Sequence, residues 1–485
     1  MTLAKKIATG YLWTFIGRWS IRLIGIGSML ILVRILSPTD FGLMAIATLV
    51  IGGFDILTNA GIQRYILLQA NANSQLLDSS WTLNLLLRTI MIVLIYNTAG
   101  FAGEYFNDTR LKEVLEFICI TQFVTALSNI GMTLHIKEGN FKPQASLSVI
   151  AKIFATATTI YFAYTLENYW CLVYGTLTHV IISVLGSYYF HPYRPSFNFK
   201  FHREQFIFSS KLMLRTTAGY IRSKLDIFLV GKGFGLEGTG KYSVAQEFAI
   251  LPFAEIISPA TMPIFSGLAQ YKNNRKILFD KTFKYLTLVY LILIPSIVGV
   301  IITAKQICFL LLGQKWAGAE DIMSALALLM LPFSLQPILN NLYDYLGKPG
   351  ITAIVDWLGI ILICSTLFLS LNTVEEFAYI RSAIGVFIFL FMIVLARIVI
   401  KLPIKLMVRV LLVPCISSYA MFLGFDLLYI NNELSPKGLA LNVFFGAAVY
   451  ALIAFFLIFS LKEKGNIWHF SFSIIKNIGF LITSK

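Results

Sequence analysis

The stretch VRILSPTDFGLMAIA, residues 33–47, breaks one apolar run and starts another, and its reading decides the architecture of the chain. Ser37-Pro38 interrupts a helix, because proline lacks the amide hydrogen that a continuing helix needs. Asp40 follows, and the apolar pattern resumes at Gly42. The run before the break starts near residue 11 and the run after it reaches residue 68. Each is long enough to cross a hydrocarbon core of about 30 Å, which takes roughly 20 apolar residues. Nearly two hundred residues on, VGKGFGLEGTGKYSVA (230–245) repeats the layout: apolar run, glycine-rich turn with an acid, glycine, small apolar residues.

Outward from these turns the same pattern fills the chain. Of 485 residues, 57% are hydrophobic and 13% charged, and the mean hydropathy is +0.77. A soluble multidomain protein is excluded. The runs lack the alternation over about ten residues that barrel strands require, so the fold class is an all-α polytopic membrane protein. Helices are expected near 11–36, 41–68, 79–102, 112–134, 145–165, 169–190, 207–231, 241–268, 281–303, 320–345, 351–371, 376–400, 406–430 and 438–461. The N-terminal run continues to Leu36 without a small-residue cleavage site, so it reads as a retained first helix. Trp468, Phe472, Ile475 and Ile478 share one helical face in the tail 462–485, which reads as an interfacial helix. The five cysteines (Cys119, Cys171, Cys308, Cys364, Cys415) form no CxxC pair, so no metal cluster or disulfide is expected, and no cofactor.

The loops fix an orientation. One alternate set carries Lys5, Lys6, Lys137, Lys142, Arg194, Lys200, Arg203, Lys272, Arg275, Lys276, Lys281, Arg397, Lys401, Lys405, Arg409, Lys462 and Lys464. The other carries Asp40, Glu104, Asp108, Glu167, Glu237, Glu375, Glu376 and Glu433, with few bases. Positive loops face the cytoplasm, so both termini are expected there, and the net charge of +15 needs no nucleic acid. Val33 aligns with Val230, and after one inserted residue Gly42 aligns with Gly240. An even number of helices separates the copies, so the halves share one topology and relate by a pseudo-two-fold axis along the membrane normal. The expected division is a six-helix bundle over 1–206, a second over 207–404, two added helices over 405–461, and a cytoplasmic or interfacial tail over 462–485.

A charge at the bilayer centre costs at least about 2.5–3.5 kcal/mol, so each one needs a reason. Arg18 and Arg22 share a face of the first helix, and Arg88 and Lys152 lie in the third and fifth. Lys211, Arg215 and Arg222 fall within roughly 40° on the seventh, and Arg18 aligns with Arg215. An arginine-lined cleft suits a phosphate-bearing substrate, because the guanidinium fork matches phosphate oxygens. Lys211 reads equally as a snorkelling residue, and Arg222 as the partner of Asp226. Among intramembrane acids, Asp55, Glu247, Glu255 and Asp356 fit either ion coupling or charge balance. Pro252, Pro259, Pro295, Pro332 and Pro337 predict kinks. Asp40 and Gly42, with Glu237 and Gly240, make a candidate outer gate. GLEGTGK (235–241) fits a phosphate-loop frame, but Tyr242 stands where a hydroxyl should hold magnesium.

The turn at 33–47 resembles the signature of the polysaccharide transporter family, the Wzx-like branch of the MOP flippase superfamily. DILTNAGIQRYILLQ (55–69), GTGKYSVAQEFAILPFAEIISPATMPIFSGLAQ (238–270) and LLLGQKWAGA (310–319) are similar to its later motifs, in the same order. The resemblance is closest to the colanic-acid exporter subgroup. It implies a bacterial inner-membrane flippase for a polyprenyl-pyrophosphate-linked oligosaccharide, working by alternating access beside the polymerase and export machinery. It also implies that Arg18 and Arg215 contact the headgroup. A multidrug-cation exporter is the alternative within the superfamily, disfavoured by a cationic cleft. The alternative of another class is a membrane-embedded ligase or polymerase. Against it stand the absence of Asp-x-Asp, the absence of a His-x-x-x-x-Asp motif and the shortness of every non-cytoplasmic loop.

Overall fold

A computed structural model describes residues 3–59, 61–69, 73–201, 203–348, 350–428, 434–461 and 468. The expected interfacial helix of the tail lies outside the described residues apart from Trp468. The chain divides into two compact units, 1–243 and 244–485. Among the described residues, eleven helices are long and apolar enough to cross a membrane.

The first unit contains α1 (Leu3–Ile35), α2 (Pro38–Asn59), α3 (Ile62–Leu68), α4 (Ser74–Tyr105), α5 (Arg110–Ala126), α6 (Met132–Lys137), α7 (Lys142–Leu166), α8 (Trp170–Phe190) and most of α9 (Arg203–Ala249). Two of the expected spans are broken. The run 41–68 divides into α2 and α3 at Gly61, whose φ of 103° lies in the left-handed region. The run 112–134 divides into α5 and α6 around Asn129, whose side chain donates to the Tyr193 carbonyl at 2.8 Å. Conversely, the expected turn between 231 and 241 is helical on both sides of Gly235 alone (φ 69°, ψ −169°). A single left-handed glycine re-aims the helix there, at no Cβ penalty.

Small residues let α1 settle on α7. A Cβ on Gly17 would lie 3.1 Å from that of Ala145, and such close approach is how membrane helices gain packing energy without a hydrophobic drive. The apolar core of the unit runs through α2, α4 and α5, with Leu43, Ile46, Ile95, Leu111, Leu115 and Ile118 at or near zero exposure.

The start of α2 is a capping box. The Asp40 amide donates to Ser37 Oγ at 3.3 Å, and the Ser37 amide returns a bond to Asp40 Oδ2 at 3.0 Å. Two otherwise orphaned donors are thereby satisfied, with Pro38 at the first helical position where its missing hydrogen costs nothing. The other carboxylate oxygen accepts from the Tyr169 amide at 3.2 Å, tying α2 to the start of α8.

The second unit holds α10 (Ser258–Ala269), α11 (Arg275–Ile307), α12 (Ala319–Leu326), α13 (Met330–Tyr345), α14 (Ile351–Ser365), α15 (Val374–Ile400), α16 (Ile404–Leu428) and α17 (Pro436–Ser460). The α12–α13 segment is its most enclosed apolar stretch. Side-chain caps start three of its long helices: Asn274, Thr373 and Ser435 each accept an amide hydrogen from three residues on. Pro252 precedes a π turn at Phe253–Ile257, and Pro259 opens α10. Pro295 and Pro337 lie inside α11 and α13, and Pro332 in the first turn of α13. The added pair is bonded in: Asn442 Nδ2 of α17 donates to Gln306 Oε1 of α11 at 2.9 Å, and the Tyr450 hydroxyl to the Leu291 carbonyl at 2.7 Å.

Candidate functional site

In the first unit, α2, α4, α5 and α8 line an open cavity of about 360 Å³. Arg88 of α4 reaches into it with only 5% of its side chain exposed, and its Nη1 donates to Asp55 Oδ1 at 3.2 Å. The same nitrogen donates to Gln122 Oε1 of α5. Thr48 of α2, Thr121 and Thr125 of α5, and Thr176 of α8 add hydroxyls to the wall, and Met44, Ile51, Ile118 and Val180 give it an apolar frame. Removing a guanidinium from water costs several kcal/mol even after relaxation, and a carboxylate with a further hydrogen-bonding group is what offsets it. Asp55 is the more exposed partner, with 38% of its side chain uncovered. A fork held by a reachable carboxylate can exchange that carboxylate for another oxyanion, such as a phosphate, at little loss.

Asp55 sits on α2 three residues after Gly52, and a Cβ there would lie 2.5 Å from the Tyr220 hydroxyl of α9. That hydroxyl donates to the Leu49 carbonyl at 2.6 Å. The glycine thus admits the tyrosine against the α2 backbone, one turn from the ion pair.

The sequence places Arg88 and Asp55 in different roles; the structure places them in contact. Of the other arginines, Arg18 is exposed on α1 one residue beyond Gly17, and Arg22 is half-buried on the same helix. Arg222 is half-buried on α9, four residues before the buried Asp226. None of these three is among the described residues that line the cavity. The Arg215 and Lys211 side chains lie outside the described residues. In the second unit Glu247 is exposed and Glu255 half-buried in the π turn. Asp356 of α14 accepts from Gln336 Nε2 of α13 at 2.8 Å. Gln122 and the threonines carry no charge, although Thr121, Gln122 and Thr125 mark one polar face in the apolar second half of α5.

The two turns that repeat in the sequence meet. A Cβ on Gly42 would fall 1.8 Å from the Leu236 carbonyl oxygen, and one on Gly240 would fall 1.8 Å from that of Pro38. The contact is reciprocal: each glycine lies four residues after the carbonyl that the other one meets, as a local two-fold requires. Glu237 is exposed beside it and pairs with Lys241 at 2.8 Å.

The family model described as "Polysaccharide biosynthesis protein" matches residues 31–321, more than half of the chain. The succinoglycan biosynthesis transport protein ExoT of Rhizobium meliloti is 22% identical over 363 residues, covering 74% of this chain and 72% of that one. The lipopolysaccharide biosynthesis protein WzxC of Escherichia coli is 22% identical over 330 residues, 67% of each. Among solved structures, the lipid II flippase MurJ in an inward closed conformation superposes with a TM-score of 0.74 at 16% identity, over 93% of this chain and 100% of that chain. An inward-facing multidrug MATE transporter of the MOP superfamily gives 0.56 at 16% identity, over 77% and 93%. The fold is therefore that of the MOP superfamily.

Proposed function

The chain belongs to the polysaccharide biosynthesis protein family, and on that premise we propose that it is a flippase for a polyprenyl-pyrophosphate-linked oligosaccharide in the bacterial inner membrane. The observation that carries the proposal is Arg88, buried within a spanning helix on a hydroxyl-lined cavity and held by a partly exposed acid. A pyrophosphate must leave water to cross. A guanidinium fork compensates it best where the surroundings exclude solvent. In this mechanism the headgroup displaces Asp55 from Arg88 on loading, and Asp55 recovers the arginine on release. Asp55 thereby balances charge in the empty carrier and can take up the coupling ion while displaced. Arg18, Arg22, Arg215 and Arg222 offer further headgroup contacts along the path, and Glu247, Glu255 and Asp356 further sites of charge balance.

The transport cycle is alternating access between two six-helix bundles, 1–206 and 207–404, with 405–461 appended and both termini cytoplasmic. The reciprocal contact at Gly42 and Gly240 closes the periplasmic mouth while the cargo loads from the cytoplasmic leaflet. A polymerase on the periplasmic side consumes the product. The chain moves its substrate and performs no bond-making step, which separates it from a ligase or polymerase.

Deletion in the native host tests the function. Lipid-linked repeat units should accumulate facing the cytoplasm while surface polysaccharide is lost. Normal polysaccharide with lost drug resistance would instead assign the chain to cation export, for which Asp55 would be the natural site. Within the mechanism, Arg88→Lys should keep the membrane abundance of the protein and lower export at least tenfold, since an ammonium lacks the planar fork.

A further inference from the structure

Residues 191–201, between α8 and α9, form a non-helical strap with the sequence HPYRPSFNFKF. One side of this strap is fastened to the start of α4. The Tyr193 hydroxyl donates to Asp78, and the Ser196 amide donates to the same carboxylate at 3.0 Å. The Asn198 amide donates to Thr82 Oγ1 at 2.9 Å, and its side chain to the Gln75 carbonyl at 3.3 Å. Thr82 stands eight residues into a spanning helix, about 12 Å along its axis. The strap therefore lies at the depth where headgroups meet acyl chains, inside the first unit.

Asn198 is turned to α4, whereas Phe197, Phe199 and Phe201 are left 66%, 64% and 45% exposed, with Phe197 edge-on to Trp81 of α4 at 5.4 Å. The Phe197 and Phe199 rings stack at 6.3 Å with 8° between their planes. Tyr189 in the last turn of α8 and Phe206 in the first turn of α9 are exposed beside them. Lys200 and Arg203 are exposed in the same stretch. A row of uncovered aromatic rings with interspersed bases, pinned at interfacial depth, has the chemistry of a membrane-surface anchor.

We infer that the strap at 191–201 docks on anionic phospholipid, with Phe197, Phe199 and Phe201 among the upper acyl carbons and Lys200, with Arg203 at the start of α9, on the headgroup phosphates. The occupant is bulk anionic lipid: the rings form a ridge of exposed side chains with exposed bases among them. The charge complements an anionic leaflet, near which each basic residue is worth about fivefold in association. The leaflet follows from the orientation proposed above; the lipid contact does not depend on it, nor on what the protein transports.

The test is photo-crosslinking of the full-length protein with p-benzoylphenylalanine at position 199. The vesicles contain one part phosphatidylglycerol to three parts phosphatidylethanolamine. The expected result is a covalent adduct of one phospholipid, with the ratio of phosphatidylglycerol to phosphatidylethanolamine adducts about fivefold above the one-to-three ratio of the bilayer. Lys200→Glu with Arg203→Glu should abolish the enrichment while the adduct persists. Three results would overturn the inference: no lipid adduct, adducts in simple proportion to bilayer composition, or, in intact cells, a product with another protein in place of lipid. Suppression of the adduct by a polyprenyl pyrophosphate added before irradiation would overturn it as well, by making the strap part of the substrate path.

Discussion

Two regions of the first unit carry charge at places where membrane helices rarely afford it, and they use it in opposite ways. At the meeting of the two turns, Asp40 is spent on its own helix end and on the Tyr169 amide, and the contact itself is backbone on backbone between glycines. At the cavity, Arg88 and Asp55 come from helices remote in sequence and converge on open volume among threonine hydroxyls. In the first arrangement Asp40 is committed to backbone amides. In the second the carboxylate that holds Arg88 is partly exposed on the cavity. A charge inside a membrane protein therefore signals function only when what its partner faces is also known.

The largest effect that would break this contrast is at the cavity. Asp55→Ala leaves a buried guanidinium with its carboxylate removed, and should cost about 3–5 kcal/mol, read as a large fall in the melting temperature of the purified protein. Asp55→Leu with Arg88→Leu should regain most of that stability and none of the export. A double variant that exported normally would reduce the pair to a strut.

At the turns, Gly42→Ala and Gly240→Ala each push a methyl into a carbonyl oxygen, and overpacking of this kind costs about 1–3 kcal/mol. The two losses should be similar, because the contact is reciprocal. Tolerance of one and not the other, in the same melting assay, would end the local two-fold.

Asp40→Ala removes a capping-box acid and should cost about 1 kcal/mol, whereas Asp40→Glu should restore much of it. Were Asp40 a gating charge, its loss would alter export with the melting temperature unchanged. Glu237→Gln is the smallest step. An exposed pair four residues apart is worth about 0.3–0.5 kcal/mol, so the melting temperature should move by no more than about one degree.

How much of this was open to reading depended on the range of the interaction. The Ser37-Pro-Thr-Asp40 box is local, and the signature for a helix start stands in the sequence, although a search for gating charges overlooks it. The alignment of Gly42 with Gly240 rested on a repeated backbone plan, and the close contact between them follows that plan. The acids did not follow it: Asp40 caps and Glu237 pairs with Lys241, because side-chain roles answer to neighbours that the repeat does not copy. Arg88 stood out by its cost in an apolar helix. Its partner Asp55, thirty-three positions away, had no helical spacing to betray it.

The residue pattern alone established that the chain is a helical membrane protein, where most of its helices run, and that two of its turns share a plan, because the bilayer sets a length and a polarity that every span must meet. It also carried, in a few ordered motifs, the resemblance that family membership bears out. Only the tertiary structure decided which arginine faces a cavity and which acid holds it. It also decided that one glycine, and not a loop, bends α9, and that the strap after α8 shows a row of aromatic rings to its surroundings. Those outcomes depend on packing between helices far apart in the chain, and burial, more than residue type, sets what a charge or a ring is worth.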